Sequence, residues 1–177
     1  MEMLKLVKET DPILHKTTPV FDFKPVPDGF ETTEEYLLDL TDKMFEVMER
    51  EDGMGLAAPQ VGLNLRLFVM TIADENIVCI NPTIIAKSEH REIRNEGCLS
   101  FPKLNLKIKR PIEVFVSYNN VDGTELQRTF TNVAGRCFLH ELDHLNGITF
   151  DSLASRLALQ MAKKSREKKL KQTERRK

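Results

Sequence analysis

Polar and apolar positions change their period several times along the chain. Tyr36, Leu37, Leu40, Met44, Val47 and Met48 fall on one face of a 3.6-residue repeat and predict a long helix over residues 33–50. Thr32 with Glu35 supplies a capping box at its start, and Asp52-Gly53 ends it. Before it, Asp11-Pro12-Ile13-Leu14-His15 reads as a turn opening a short helix, and residues 19–27 as extended or looped. After it, Gly53–Gln60 is rich in small residues and reads as a helix-to-strand connector. The pattern then turns strand-like. Residues 65–72 and 77–80 predict a hairpin across Ala73–Asn76, and segments 82–85 and 92–94 extend the sheet. Residues 112–118 and 124–130 predict a second hairpin across Asn119–Gly123.

Helical spacing returns with Val133, Cys137, His140, His144 and Ile148, behind Asn132 or Thr131 as N-cap and with Asn146-Gly147 as the stop. A last helix is predicted from a Ser152 cap, with Leu153, Leu157, Ala158 and Met161 as its apolar stripe. Strands and helices are segregated rather than alternating. That predicts an α+β fold with antiparallel sheets around the helix at 132–145 and further helices near either end.

Composition narrows the picture. A chain of 177 residues, 41% hydrophobic, is long enough for one globular domain with a proper core. No run approaches the ~18 apolar residues of a membrane span, and the first residues lack the apolar centre of a signal peptide. Three cysteines give no disulfide framework and suit a reducing cytoplasm. The net charge is −1, but residues 161–177 hold nine Lys/Arg against two Glu, a surplus of seven positive charges that leaves the body at −8. Such a tail is either a solvated helix end or a docking element for an anionic partner.

The chemistry is concentrated in His140-Glu141-Leu142-Asp143-His144. On a helix, the two histidines lie about 40° apart on one face and can grip one metal ion, with Glu141 beside them as a proton acceptor. Two histidines do not complete a catalytic metal site; a third protein ligand is needed. The chain has Phe150 where an HExxHxxGxxH motif has its third histidine, so the ligand comes from elsewhere. Cys79, Cys98, Cys137, His15, His90 and many carboxylates are available. Cys79 sits in an apolar strand-like run, and Cys137 reads more simply as a small buried hydrophobe. Cys98 lies in a loop beside glycine, which favours it.

Gly53-Met-Gly-Leu-Ala-Ala-Pro-Gln60, Glu96-Gly-Cys-Leu-Ser100 and His140-Glu-Leu-Asp-His144 resemble, in order and spacing, the three signature motifs of peptide deformylases, and Asp11–His15 resembles the family's opening segment. The likeness runs from about residue 4 to about residue 150. It implies three antiparallel sheets around a central metal-bearing helix. It implies Cys98, His140 and His144 as metal ligands, Glu141 as general acid/base, and Gln60 with the Leu99 N–H as oxyanion donors. Met54, Gly55, Gly97, Val133 and Cys137 are then expected to contact substrate. The implied cofactor is one divalent ion, physiologically Fe²⁺, with Zn²⁺, Ni²⁺ or Co²⁺ as replacements. The implied substrate is the N-formyl-methionyl end of nascent chains in the cytoplasm, with no part for membrane or DNA.

On this reading residues 1–151 form the catalytic domain, and 152–177 are an appended helix and basic tail, outside the likeness, that could meet the ribosome. The family's usual Gln before HExxH is here Leu139, expected to alter packing rather than catalysis. Arg94 and Arg110 bracket the Cys98 loop, and either could anchor substrate. Two rival readings are another HExxH metallopeptidase and a catalytically retired ribosome-binding protein.

Overall fold

The helical stripe at residues 36–48 folds as α1, Thr33–Arg50, in a computed structural model that describes residues 3–174. The last three residues of the expected basic tail lie outside that range. Thr32 Oγ1 accepts the Glu35 N–H at 3.0 Å, while the Glu35 carboxylate receives Glu31 N–H at 2.8 Å. The return arm of the capping box therefore lands one residue earlier in the chain than expected. Leu37, Leu40, Met44, Val47 and Met48 are all buried. Each stabilises the fold by about 1.5–3 kcal/mol relative to exposure.

Seven strands follow among the described residues: β1 (Gly55–Ala57), β2 (Leu67–Ile72), β3 (Glu75–Lys87), β4 (Arg91–Glu96), β5 (Leu106–Pro111), β6 (Glu113–Asn119) and β7 (Glu125–Thr131). All pair antiparallel, as an order β1-β2-β3-β6-β7 and a separate β4-β5 ribbon. The resemblance implied three sheets; among the described residues there are two. The reason is β3. Its first half, Glu75–Ile80, pairs with β2, and its second half, reaching Lys87, pairs with β6 across register shifts. One long bulged strand thus joins what would otherwise be two sheets.

Two strands went unforeseen. β1 lies in the stretch read as a connector, because three residues are too few for a period to show. β5 carries a short alternation, Leu106-Lys-Ile-Lys, that lies outside the strands expected above.

The second long helix, α2, spans Asn132–Leu145 and starts directly after β7, with Thr131 as its N-cap residue. A side chain at Gly135 would lie 2.8 Å from the Phe130 carbonyl, so the abrupt strand-to-helix junction requires glycine there. The four consecutive buried residues Leu67–Met70 of β2 show that this part of the sheet is covered on both faces. Leu67 and Val69 pack in the cluster built on α1; Phe68 and Met70 join Phe138, Leu139, Leu142 and Leu145 of α2. Leu139 is thus an ordinary core residue. The far end of α2 is pinned as well. Thr18 donates its N–H and hydroxyl to Leu145 O at 2.9 and 3.0 Å, and Arg66 reaches Asn146 Oδ1 at 3.2 Å. The Arg66 guanidinium there also complements the negative helix end.

Helix α3, Arg156–Glu174, differs from its expectation. Ser155 rather than Ser152 caps it, its Oγ accepting Ala158 N–H at 3.2 Å; Ser152 sits in a 3₁₀ turn, Phe150–Leu153. An extended Ala154 separates the turn from the helix and resets the phase. Leu159 and Ala162 therefore face inward, onto Phe101, Leu106, Ile108 and Phe150. Leu153, Leu157 and Met161 of the expected stripe are instead 47%, 68% and 64% exposed.

Candidate active site

The motif His140-Glu141-Leu142-Asp143-His144 occupies the last turns of α2, and its two histidines and Glu141 are buried. The imidazole centroids lie 5.1 Å apart, as the i, i+4 spacing demands. The loop after β4 brings Cys98 Sγ to 3.2 Å from His144 Nε2. One donor atom each from Cys98, His140 and His144 lies within 4.8 Å of the others. Cys79, by contrast, is buried in the sheet core away from this set, and His15 and His90 are exposed. A sulfur and two nitrogens from three residues match a divalent transition-metal centre with one position left for a guest.

The state of His144 fits an ion. Burial pushes His144 well below the ordinary histidine range and so keeps it neutral, as ligation requires; its buried Nδ1 has no protein partner. His140 Nδ1 lies 3.2 Å from Glu96 Oε2, which turns Nε2 toward the donor set. Burial also opposes charge on His140, but its contacts with Cys98 and Glu96 outweigh this and hold its pKa at about 10. A proton and a metal ion therefore compete for the same ring.

Glu141 is the unusual carboxylate. Burial raises its pKa to about 7, and its Oε2 is buried with no hydrogen-bond partner. β1 passes so close that a side chain on Gly55 would stand 2.6 Å from Glu141 Oε1 and 2.8 Å from Cys137 Sγ. Only glycine lets the sheet edge approach here.

Gln60, in the 3₁₀ turn Ala58–Val61, is fixed at both ends of its amide. Oε1 accepts Ala57 N–H at 2.8 Å; Nε2 donates to Ser100 Oγ at 3.2 Å and faces Cys98 Sγ at 3.5 Å. The amide NH₂ is thereby aimed at the loop that carries Cys98 and Leu99. A cleft of about 720 Å³ joins these parts. Met54, Gly55, Gln60, Gly97, Cys98, Leu99, Val133, Cys137, His140 and Glu141 all line it. Cys137 is both cleft wall and core neighbour, whereas Val133 is 47% exposed and belongs to the rim, not the core.

Sequence reasoning missed the charge network beneath the site. Buried Glu96 receives Arg110 Nε at 2.6 Å and Nη2 at 2.9 Å, Arg136 Nη1 at 2.5 Å, and His140. Burial alone would raise its pKa; His140 and Arg110 overcome that and bring it to about 2. Arg110 also reaches Asp143 Oδ2 at 2.7 Å and is almost fully buried, so it does not meet substrate, whereas Arg94 lines the cleft. The available signal was Arg136: a cation one turn before His140 on a buried helix face needs a buried partner.

Comparison with known proteins agrees with this arrangement. The family model described as polypeptide deformylase matches residues 3–159. A peptide deformylase of Pseudothermotoga lettingae is 41% identical over 143 residues, covering 81% of this chain and 78% of its own. The chloroplastic peptide deformylase 1B of rice is 38% identical over 152 residues, covering 83% of this chain and 53% of that longer protein. Among solved structures, the peptide deformylase of Synechococcus elongatus in complex with actinonin superimposes with a TM-score of 0.82 at 33% identity, covering 93% of this chain and 86% of that one. That of Thermotoga maritima gives 0.78 at 36% identity, covering 88% and 99%.

Proposed function

Because the chain belongs to the polypeptide deformylase family, a metal-dependent hydrolase that removes N-formyl groups, we propose the following division of labour among its residues. Cys98, His140 and His144 hold one divalent ion, Fe²⁺ in the cell and replaceable by Zn²⁺, Ni²⁺ or Co²⁺. When bound, the ion supplies Lewis acidity that polarises the formyl carbonyl and makes a water nucleophilic near neutral pH. Glu141 takes the proton of that water as it attacks the formyl carbon. Its pKa of about 7 suits it both to accept this proton and to return it to the leaving amine. Gln60 Nε2 and the Leu99 N–H donate to the developing oxyanion; one such donor is typically worth about 2.7–4 kcal/mol. Formate and a free amino terminus leave.

The observation that carries this reading is Glu141, buried and with an unpartnered oxygen, beside a three-donor set at the floor of an open cleft. Met54, Gly55, Gly97, Val133 and Cys137 receive the methionyl residue of a formylated nascent chain, in the cytoplasm. Residues 1–151 form the catalytic domain. Residues 152–177 are an appended helix and tail whose Leu159 and Ala162 back the Cys98 loop and whose lysines dock on the ribosome. The deciding experiment is an anaerobic assay of formate release from a formyl-Met tripeptide, with metal content measured on the same sample. Cleavage of internal peptide bonds without formate release refutes it.

A further inference from the structure

The cleft wall that faces an incoming side chain is only partly apolar. Val133, Arg136, Cys137 and His140 share one stripe of α2 at spacings of three, four and seven residues, so they line up outward from the donor set. One helical turn from His140, about 5.4 Å, brings the wall to Arg136 and Cys137; the next reaches Val133. A methionine side chain anchored by its formyl group at the donor set therefore ends alongside this outer part of the wall.

Across from it runs β4. Glu92, Arg94 and Glu96 alternate onto the same strand face, and that face is turned toward α2, because Glu96 reaches His140 and Arg136. Arg94 thus stands about 6.6 Å outward from Glu96, opposite the outer end of the α2 stripe. The two arginines differ in what they have left to give. Arg136 is consumed: Nη1 donates to Glu96 and to Ile108 O, and Nη2 to Glu92 O. Arg94 lines the cleft and is half-exposed, and its observed bonds run from Nε and Nη2 to one oxygen, Glu92 Oε2. Nη1 remains for a guest.

We propose that Arg94 is a specificity determinant, placing a hydrogen-bond donor at the far end of the side-chain pocket. The pocket then accepts an unbranched side chain of methionine length whose tip carries an acceptor oxygen. The chemical class is the N-formyl-methionine sulfoxide peptide, the oxidised counterpart of the substrate already assigned. The sulfoxide is polar where the thioether is not, and an all-apolar pocket discriminates against it. Here the sulfoxide oxygen meets the Arg94 guanidinium. The proposal rests on the deformylase reading above and adds to it only the nature of the pocket's outer end.

The test compares kcat/KM for formyl-Met, formyl-Met sulfoxide and formyl-norleucine tripeptides, using metal-loaded enzyme. The quantity read is the sulfoxide-to-norleucine ratio, which cancels general loss of activity. Arg94→Met removes the donor but keeps length, and should lower that ratio about ten-fold, as for loss of a charge-assisted hydrogen bond. Arg94→Lys should restore part of it. Glu92→Gln, which frees Arg94 from its carboxylate, should raise it. A ratio that moves less than three-fold in Arg94→Met, or that does not recover with Arg94→Lys, overturns the proposal. Wild-type enzyme inactive on formyl-Met would instead refute the underlying reading, so the two failures are distinguishable.

Discussion

Glu96 Oε2 lies 3.2 Å from His140 Nδ1 while the same carboxylate accepts from Arg110 and Arg136. One buried anion therefore orients a donor imidazole and pairs with two guanidinium groups at once. Outer partners of this kind commonly carry 10–100-fold in metal affinity. Glu96→Gln should weaken Zn²⁺ or Co²⁺ binding by that factor, measured by competition with a chromophoric chelator. Affinity unchanged within two-fold would mean that Glu96 serves only the arginines.

The same carboxylate sets an acid limit on stability. Its folded pKa, about 2, lies below the ordinary glutamate value. The stability it contributes is therefore fully present above the unfolded value, near 4.5, and is lost as pH falls toward about 2. In Glu96→Gln, Arg110 keeps only the Asp143 carboxylate and Arg136 only the Ile108 and Glu92 carbonyls; losing the shared anion at neutral pH should cost about 3–5 kcal/mol. Urea titrations at pH 7, 5 and 3.5 should show the gap between wild type and variant narrowing only at the lowest pH. A gap that is constant across this range would remove the carboxylate from the acid response.

The cysteines separate cleanly by place. Cys98 shares the donor set, and Cys79 is fully buried in the sheet. Cys98→Ala should abolish tight metal binding, seen as a metal-to-protein ratio near zero after dialysis. Cys79→Ala should retain the metal and lose about 1 kcal/mol of stability. Metal kept in the first variant, or lost only in the second, contradicts the ligand set.

Much of this architecture was legible because period and position carried it. The stripe of α1, the two hairpins and the i, i+4 histidines each depend on contacts within a short window, and each was found. What escaped depends on the chain meeting itself at distance. β1 is strand only because β2 pairs with it. The merging of sheets follows from the length of β3, which no local pattern announces. Glu96 was visible as part of a motif, but its bonds to Arg110, Arg136 and His140 span 14, 40 and 44 residues. The inward face of α3 differs from the expected stripe because a single extended residue, Ala154, shifts its phase.

Glu141→Gln tests the proton acceptor. The amide is nearly the same size, so the contact with Gly55 should survive and metal content should stay near that of wild type. It cannot take a proton at neutral pH. Turnover of a formyl-Met tripeptide should fall by about 10²–10⁴-fold, the usual range for losing a general acid–base group. Turnover within a few-fold of wild type, with metal present, would assign the proton to another group.

The last test separates the packed part of α3 from the basic residues that follow it. Leu159 and Ala162 lie against the cluster behind Cys98, and Arg166 Nη2 meets Glu9 Oε2 at 2.8 Å. Deletion after Ala162 keeps the packing but breaks that ion pair. The pair is partly exposed and worth at most about 1 kcal/mol. The expected fall in thermal midpoint is therefore about 2–4 °C. Deletion after Glu167 spares the pair and removes residues 168–177, Lys168, Lys169, Leu170 and Lys171 among them. It should leave the tripeptide kcat/KM at the wild-type value. If these lysines meet ribosomal phosphates, the same deletion should reduce co-sedimentation with ribosomes. Binding by the full chain should then weaken steeply between low and moderate salt, since counterions released on contact must be recaptured. Equal sedimentation of the two proteins at low salt would leave the lysines as a solubility feature. Loss of tripeptide turnover in the shorter deletion would instead show that the last turns of α3 act on the Cys98 loop.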